Sequence, residues 1–267
     1  MLAGINISNG KIWRVVLYSS KIVYEVLGTE MHGFVAYDDK KSGPRPAVVI
    51  AHAWRGLDDF AREKAVALAE MGYIGFAADV YGEGVNAEND EESMALMLPL
   101  FENRKLLQQR INAAVDLVRD LPQTDENLVS AIGFCFGGLT VLELLRSGAD
   151  IRAAISFHGV LADVLGEVKA KRPPNGDKLK GAALFLHGHD DPMVSDTDIK
   201  KVLHELDEAN VDWQFNIYGH TMHAFTNPMA QDADKGTVYQ PQAAKRSWQT
   251  MENYLIEQFN IKKEPTV

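Results

Sequence analysis

Cysteine is almost missing from this chain: Cys135 stands alone among 267 residues, so no disulfide can form within it. A single thiol fits a reducing compartment, and a cytoplasmic location is expected. Excess positive charge is missing too. Lysine and arginine number 27 against 37 aspartates and glutamates, and the net charge of -10 offers no basic footprint for nucleic acid or an anionic membrane. No apolar run approaches the ~20 residues of a membrane span. The first twenty residues set Lys11 and Arg14 among short apolar pieces, without a continuous hydrophobic stretch or a small-residue cleavage site. No secretory signal is expected. Internal repeats and low-complexity linkers are absent as well. What is left, 46% hydrophobic and 24% charged, is the composition of an ordinary folded domain. The length suits one large domain better than two small ones.

Apolar residues alternate between strand and helix spacing along the chain. Residues 19 to 37 place Ile22, Tyr24, Val26, Met31, Phe34 and Val35 about a Gly28-Thr29 turn, which predicts an antiparallel hairpin. Residues 1 to 18 form an N-terminal extension whose structure, added strand or loose arm, stays open. A buried strand follows at 47–51, then a helix capped by Asp58 or Asp59 and stopped by Gly72, then a strand at 73–78. The acidic stretch 88–92 opens a small inserted helix. A longer helix at 104–121 carries Leu107, Ile111, Ala114, Val115 and Val118 on one face. Strands at 128–133, 153–157, 182–186 and 213–218 then alternate with helices at 137–146, 199–209 and 243–259. This alternation predicts a single α/β domain over 19–260, a mostly parallel central sheet with helices on both faces. Residues 261–267 read as a frayed tail.

Chemistry concentrates where strands end. Gly133-Phe134-Cys135-Phe136-Gly137-Gly138 lies between an apolar strand and a helix and has the spacing of a nucleophile elbow, with cysteine in the nucleophile's place. Glycines two residues to either side leave room for the sharp turn. The helix N-terminus behind the sulfur favours a thiolate. After the strand at 182–186 comes His187-Gly188-His189-Asp190-Asp191-Pro192. After the strand at 213–218 comes Gly219-His220-Thr221-Met222-His223-Ala224-Phe225. Nucleophile, acid and base thus follow one another in the chain order of a hydrolase triad, each at the carboxyl end of a strand.

Those segments together resemble the dienelactone hydrolase family of the α/β-hydrolase superfamily. The likeness covers residues 20 to 260 and includes Val49-Ile50-Ala51-His52 and Asp79-Val80-Tyr81-Gly82. It implies an α/β-hydrolase fold in which Cys135 is the nucleophile, His223 the base and Asp191 the acid that orients it. Asp190 and His220 are the weaker candidates for the last two roles. It further implies hydrolysis of carboxylic esters or lactones through a thioester, without metal or cofactor. The oxyanion would be held by the backbone N–H groups of Phe136 and Trp54. The expected partner is a small-molecule ester or lactone, and the expected assembly a monomer or small homo-oligomer.

The chain also departs from that family. A glutamate that follows the first core strand in dienelactone hydrolases, and two arginines that bind the substrate carboxylate, align here with Ala53, Glu83 and Asn227. Arg55 is a nearby replacement cation. His52, Arg55, Tyr81, Glu83 and Asn227 are therefore pocket candidates, while dienelactone specificity is not expected. Other readings stay open. His187, His189 and Asp191 partly match a metal cluster, although Pro192 interrupts the pattern. Cys135 could serve thiol-redox chemistry, although no resolving cysteine is present. A hydrolase fold can also act as a binding module.

Overall fold

The computed structural model describes residues 2–8, 11–175 and 179–261, with side chains from residue 17 onward. Its organisation follows from which strands are apolar on both faces. β4 (Arg45–Ala51), β5 (Ile74–Ala78) and β7 (Ala153–Phe157) expose almost nothing, so they need cover above and below and occupy the middle of a sheet. The antiparallel start is β1 (Leu2–Ser8), β2 (Lys11–Val26) and β3 (Thr29–Asp38). β6 (Thr124–Phe134) comes between β5 and β7 in the chain. A short ribbon, β8 (Val164–Leu165) and β9 (Val168–Lys169), precedes β10 (Ala182–Gly188) and β11 (Trp213–Tyr218). A second ribbon, β12 (Gln231–Asp232) and β13 (Thr237–Val238), follows.

The nine long strands form one sheet in the order β1-β2-β3-β5-β4-β6-β7-β10-β11. Pairing is antiparallel as far as β3–β5 and parallel from β5 onward. The expected hairpin is present and longer than its sequence pattern indicated: β2 begins at Lys11, and the extension adds β1 beside it. Helices cover both faces. α1 (Asp59–Glu70) and α6 (Pro241–Gln258) contribute to one core with Val48, Ile50, Ile132 and Leu184. α3 (Arg104–Arg119) and α4 (Phe136–Arg146) contribute to the other with Val49, Phe76, Ala131 and Phe185. α2 (Asp90–Glu102) is the inserted helix, and α5 (Asp196–Glu208) links β10 to β11. Asp58, not Asp59, caps α1 by accepting from the Ala61 N–H.

The topology locates the site. The chain runs from β4 outward to β5 and then returns across β4 to β6, so β4 and β6 are neighbours with Ala51 opposite Gly133. Loops leaving their carboxyl ends diverge and open a crevice, the place where doubly wound sheets hold ligands. Trp54 follows β4 and Cys135 follows β6.

Candidate active site

Cys135 sits between β6 and α4 with φ 55° and ψ -115°, a conformation that costs an L-residue about 1–3 kcal/mol. The surroundings enforce it. The Cys135 N–H donates to Phe157 O (3.1 Å), and its carbonyl accepts from Gly138 N–H (2.9 Å) and Val160 N–H (3.2 Å). The flanking glycines are steric necessities. A Cβ on Gly133 would stand 1.9 Å from Gly137 O, and one on Gly137 would stand 2.1 Å from Ala51 O. Cys135 itself remains partly exposed.

His223 approaches from the segment after β11. Its backbone is tied to the second ribbon, donating to Gly236 O (2.9 Å) and accepting from Val238 N–H (3.1 Å). Its Nδ1 is 2.7 Å from Asp191 Oδ2, and both side chains are buried. Asp191 Oδ1 accepts from the Met193 N–H at 2.9 Å, so both carboxylate oxygens are engaged and the group cannot rotate freely. His223 Nε2 is buried without a well-formed hydrogen bond, and it interacts with the Cys135 sulfur. Burial alone disfavours the imidazolium. The charge at Cys135 and the bond to Asp191 outweigh it and push the His223 pKa up to about 10.

The weaker candidates fall elsewhere. His220 is fully exposed, 4.0 Å from Asp190. His187 is buried, with its ring 5.6 Å from that of Phe215, whereas His189 is exposed. No group of three His, Cys, Asp or Glu side chains suited to a metal occurs among the described residues. The thiol, imidazole and carboxylate brought together are Cys135, His223 and Asp191.

Pocket candidates divide into braces and rim. His52 is buried, donates from Nδ1 to Ala53 O (2.7 Å) and accepts the Val80 N–H at Nε2 (3.2 Å). Burial lowers its pKa, consistent with the neutral tautomer these bonds require. Tyr81 is also buried and donates its hydroxyl to Trp54 O (2.8 Å). Arg55 lies at the surface, 3.2 Å from Asp90, whose other oxygen is 2.7 Å from Lys235. Glu83 is exposed with φ 56°, and Asn227 accepts the Met229 N–H. The amide of Phe136 opens α4 and has no intrahelical acceptor. For the Trp54 amide no acceptor occurs among the described residues.

Two further residues were less legible. His158, with φ 38°, packs its ring edge-on against His223 at 5.1 Å and binds Thr226 Oγ1 through Nε2 (2.7 Å). Burial and the facing His223 hold its pKa well below the ordinary histidine value. Asp79 accepts the N–H groups of His32, Tyr81, Gly82 and Gly84 and so shapes the turn after β5. The only sequence signal for that role is an acidic residue followed by a Gly-rich turn.

The profile of the dienelactone hydrolase family matches residues 31–259. The chain belongs to that family. A dienelactone hydrolase-like promiscuous phosphotriesterase from metagenomic libraries is 34% identical with a TM-score of 0.83, covering 91% of this chain and 98% of its own. A structure titled m3DLH is 36% identical with the same TM-score and covers 91% and 99%. A protein of Aquifex aeolicus provisionally named a carboxymethylenebutenolidase is 27% identical over 87% of this chain and 96% of its own. This dienelactone hydrolase family member is thus an ester or lactone hydrolase on an α/β-hydrolase fold, and no described helix is long and apolar enough to cross a membrane.

Proposed function

We propose that this family member cleaves carboxylic esters or lactones through a Cys135–His223–Asp191 triad and a thioester acyl-enzyme. The observation that carries the reading is a buried imidazole held by a buried carboxylate at 2.7 Å, its free nitrogen turned to a sulfur on a strained elbow. The raised His223 pKa suits an imidazole that takes and holds the nucleophile's proton. The thiolate attacks the acyl carbon, and the carbonyl electrons move onto oxygen. The Phe136 and Trp54 amides stabilise that oxyanion, each such donor contributing about 3–4 kcal/mol. Collapse expels the alkoxide, which takes the proton from His223. Water then loses a proton to His223 and attacks the thioester. The second tetrahedral intermediate breaks its carbon–sulfur bond, releasing the carboxylic acid and the Cys135 thiolate beside the imidazolium that already holds the water's proton. Asp191 keeps Nδ1 protonated and stabilises the imidazolium throughout.

The chain's electrostatics favour neutral substrates. Ala53, Glu83 and Asn227 stand where the family resemblance would put an acid and two cations, and Arg55 is already paired with Asp90. The test is turnover of a panel of neutral esters, lactones, an anionic dienelactone and a neutral phosphotriester, the last because a 34% identical neighbour is a promiscuous phosphotriesterase. Cys135→Ala should lose at least 99% of ester turnover, as a rough figure for removal of a nucleophile. His223→Ala should be comparably damaging and His220→Ala mild. Activity retained in Cys135→Ala, or a reversed order of the two histidines, would exclude this triad.

A further inference from the structure

Tyr81 touches both residues whose amides face the proposed oxyanion. Its hydroxyl donates to Trp54 O at 2.8 Å, and its ring stacks on that of Phe136 with centroids 6.1 Å apart and planes 24° from parallel. Trp54 belongs to the loop after β4, Phe136 to the first turn of α4, and Tyr81 to the loop after β5. One side chain therefore joins two loops and the start of a helix at the crevice. The link between the β4 and β5 loops is reciprocal. His52, from the β4 loop, accepts the Val80 N–H at 3.2 Å, while Tyr81, from the β5 loop, donates to the β4 loop. The ring of Tyr81 also meets that of His52 edge-on at 4.7 Å.

The base of this brace is fixed in turn. Asp79 accepts the N–H groups of Tyr81 (3.0 Å) and Gly82 (2.8 Å) through Oδ1, and those of Gly84 (2.9 Å) and His32 (3.0 Å) through Oδ2. Arg110 donates to the carbonyls of Val80 (2.8 Å) and Tyr81 (2.7 Å). The backbone that carries Tyr81 is thus held by both its donors and its acceptors. Burial, together with the nearby Cys135, keeps the phenol protonated and therefore a donor. Its hydroxyl is already engaged with a main-chain carbonyl.

We infer that Tyr81 is a positioning residue that fixes the separation of the Trp54 and Phe136 amides and so preorganises the oxyanion hole. The inference rests on Cys135 acting as the nucleophile through an oxyanion. Oxyanion stabilisation depends on donors held where charge develops, and a displacement of ~1 Å can cost about a hundredfold in rate.

The test separates oxyanion formation from thiol reactivity. Alkylation of Cys135 by iodoacetamide uses the same thiolate but makes no oxyanion; acylation by an activated ester needs both. Tyr81→Phe keeps the ring and removes the hydroxyl. It should lower kcat for the ester by about ten- to a hundredfold with KM within about twofold, leaving the alkylation rate at the wild-type value. Tyr81→Leu also removes the ring from Phe136 and should lose more turnover. Unchanged ester turnover in Tyr81→Phe, or alkylation slowed in step with turnover, would overturn the inference. Equal losses in the two variants would overturn the part assigned to the ring. Cys135→Ala, measured alongside, tests the nucleophile separately, since its activity does not depend on how Tyr81 acts.

Discussion

His223 is held between opposing influences. Its burial removes the water that would solvate a charge, while Asp191 and the Cys135 sulfur compensate. This balance has a consequence for stability. A histidine that titrates near about 6.5 when unfolded but near about 10 when folded stabilises the native state fully below the first value. That contribution is lost as pH rises through the second. In Cys135→Ala the charge facing Nε2 is gone, so the loss should set in at lower pH. Thermal melts of wild type and variant between pH 6 and pH 10 would read this directly. Superimposable pH profiles would mean that Cys135 does not govern the state of His223. His158, packed edge-on against that ring, stays neutral because it is buried and because a second imidazolium at 5.1 Å would repel the first.

At the level of elements, the elbow works because β6, β4 and α4 approach more closely than side chains would allow. Gly137 meets Ala51 O, and Gly138 meets Gly159, so the start of α4 packs backbone to backbone against the ends of β4 and β7. Gly137→Ala should destabilise the protein by roughly 3 kcal/mol, since neither partner is a flexible side chain that can move aside. Urea unfolding checks the figure, and a cost below about 1 kcal/mol would show that the elbow has slack. The far end of α4 is secured differently. Arg146 bonds Glu143 at 2.9 Å and Glu205 at 2.6 Å, and Gln108 bonds Glu143 at 2.8 Å, tying α4 to α3 and α5. Arg104, wholly buried, lies over the Phe101 ring at 4.2 Å. These charges are removed from water, so each depends on its partner far more than a surface pair would.

Across the whole molecule, acidic charge predominates, and a surface strap of ion pairs ties two loops together. Asp90, at the start of α2, binds Arg55 on the loop beside Trp54 and Lys235 on the loop that backs His223. The two loops are thereby joined through one carboxylate, and Lys235 is also 3.5 Å from Asp232. Lys235 lowers the Asp90 pKa, so the strap is charged at neutral pH. Asp90→Asn should leave Arg55 without its carboxylate and Lys235 with Asp232 alone, and raise kcat/KM for a carboxylate-bearing ester, relative to a neutral one, by roughly two- to tenfold at low salt. High salt should erase the gain. An unchanged ratio at low salt would mean that the strap plays no part in substrate selection.

The residues of the site were legible in sequence wherever chemistry imposes local spacing. Gly133, Cys135 and Gly137 announce a strained turn because only glycine tolerates the backbone contacts found there. Carboxylate and imidazole positions followed from the ends of apolar runs. The choice of Asp191 over Asp190 rested on the family resemblance, and in the structure Asp191 is the one that faces His223. Strand and helix succession likewise predicted the parallel sheet, because period-2 and period-3.6 patterns are local properties. Distant pairings carry no such signature. Nothing in the spacing of Trp54, Tyr81 and Phe136 indicates that one side chain would join the two loops to the start of α4. Nor does spacing show that Arg55, read as a spare cation, would be taken up by Asp90. Those contacts exist because β4 and β6 lie side by side while their loops diverge, and that adjacency arises only once the sheet has assembled. Local sequence thus determined the elements and the reactive groups at their ends, and the tertiary structure decided which groups meet, which are neutralised and which become braces.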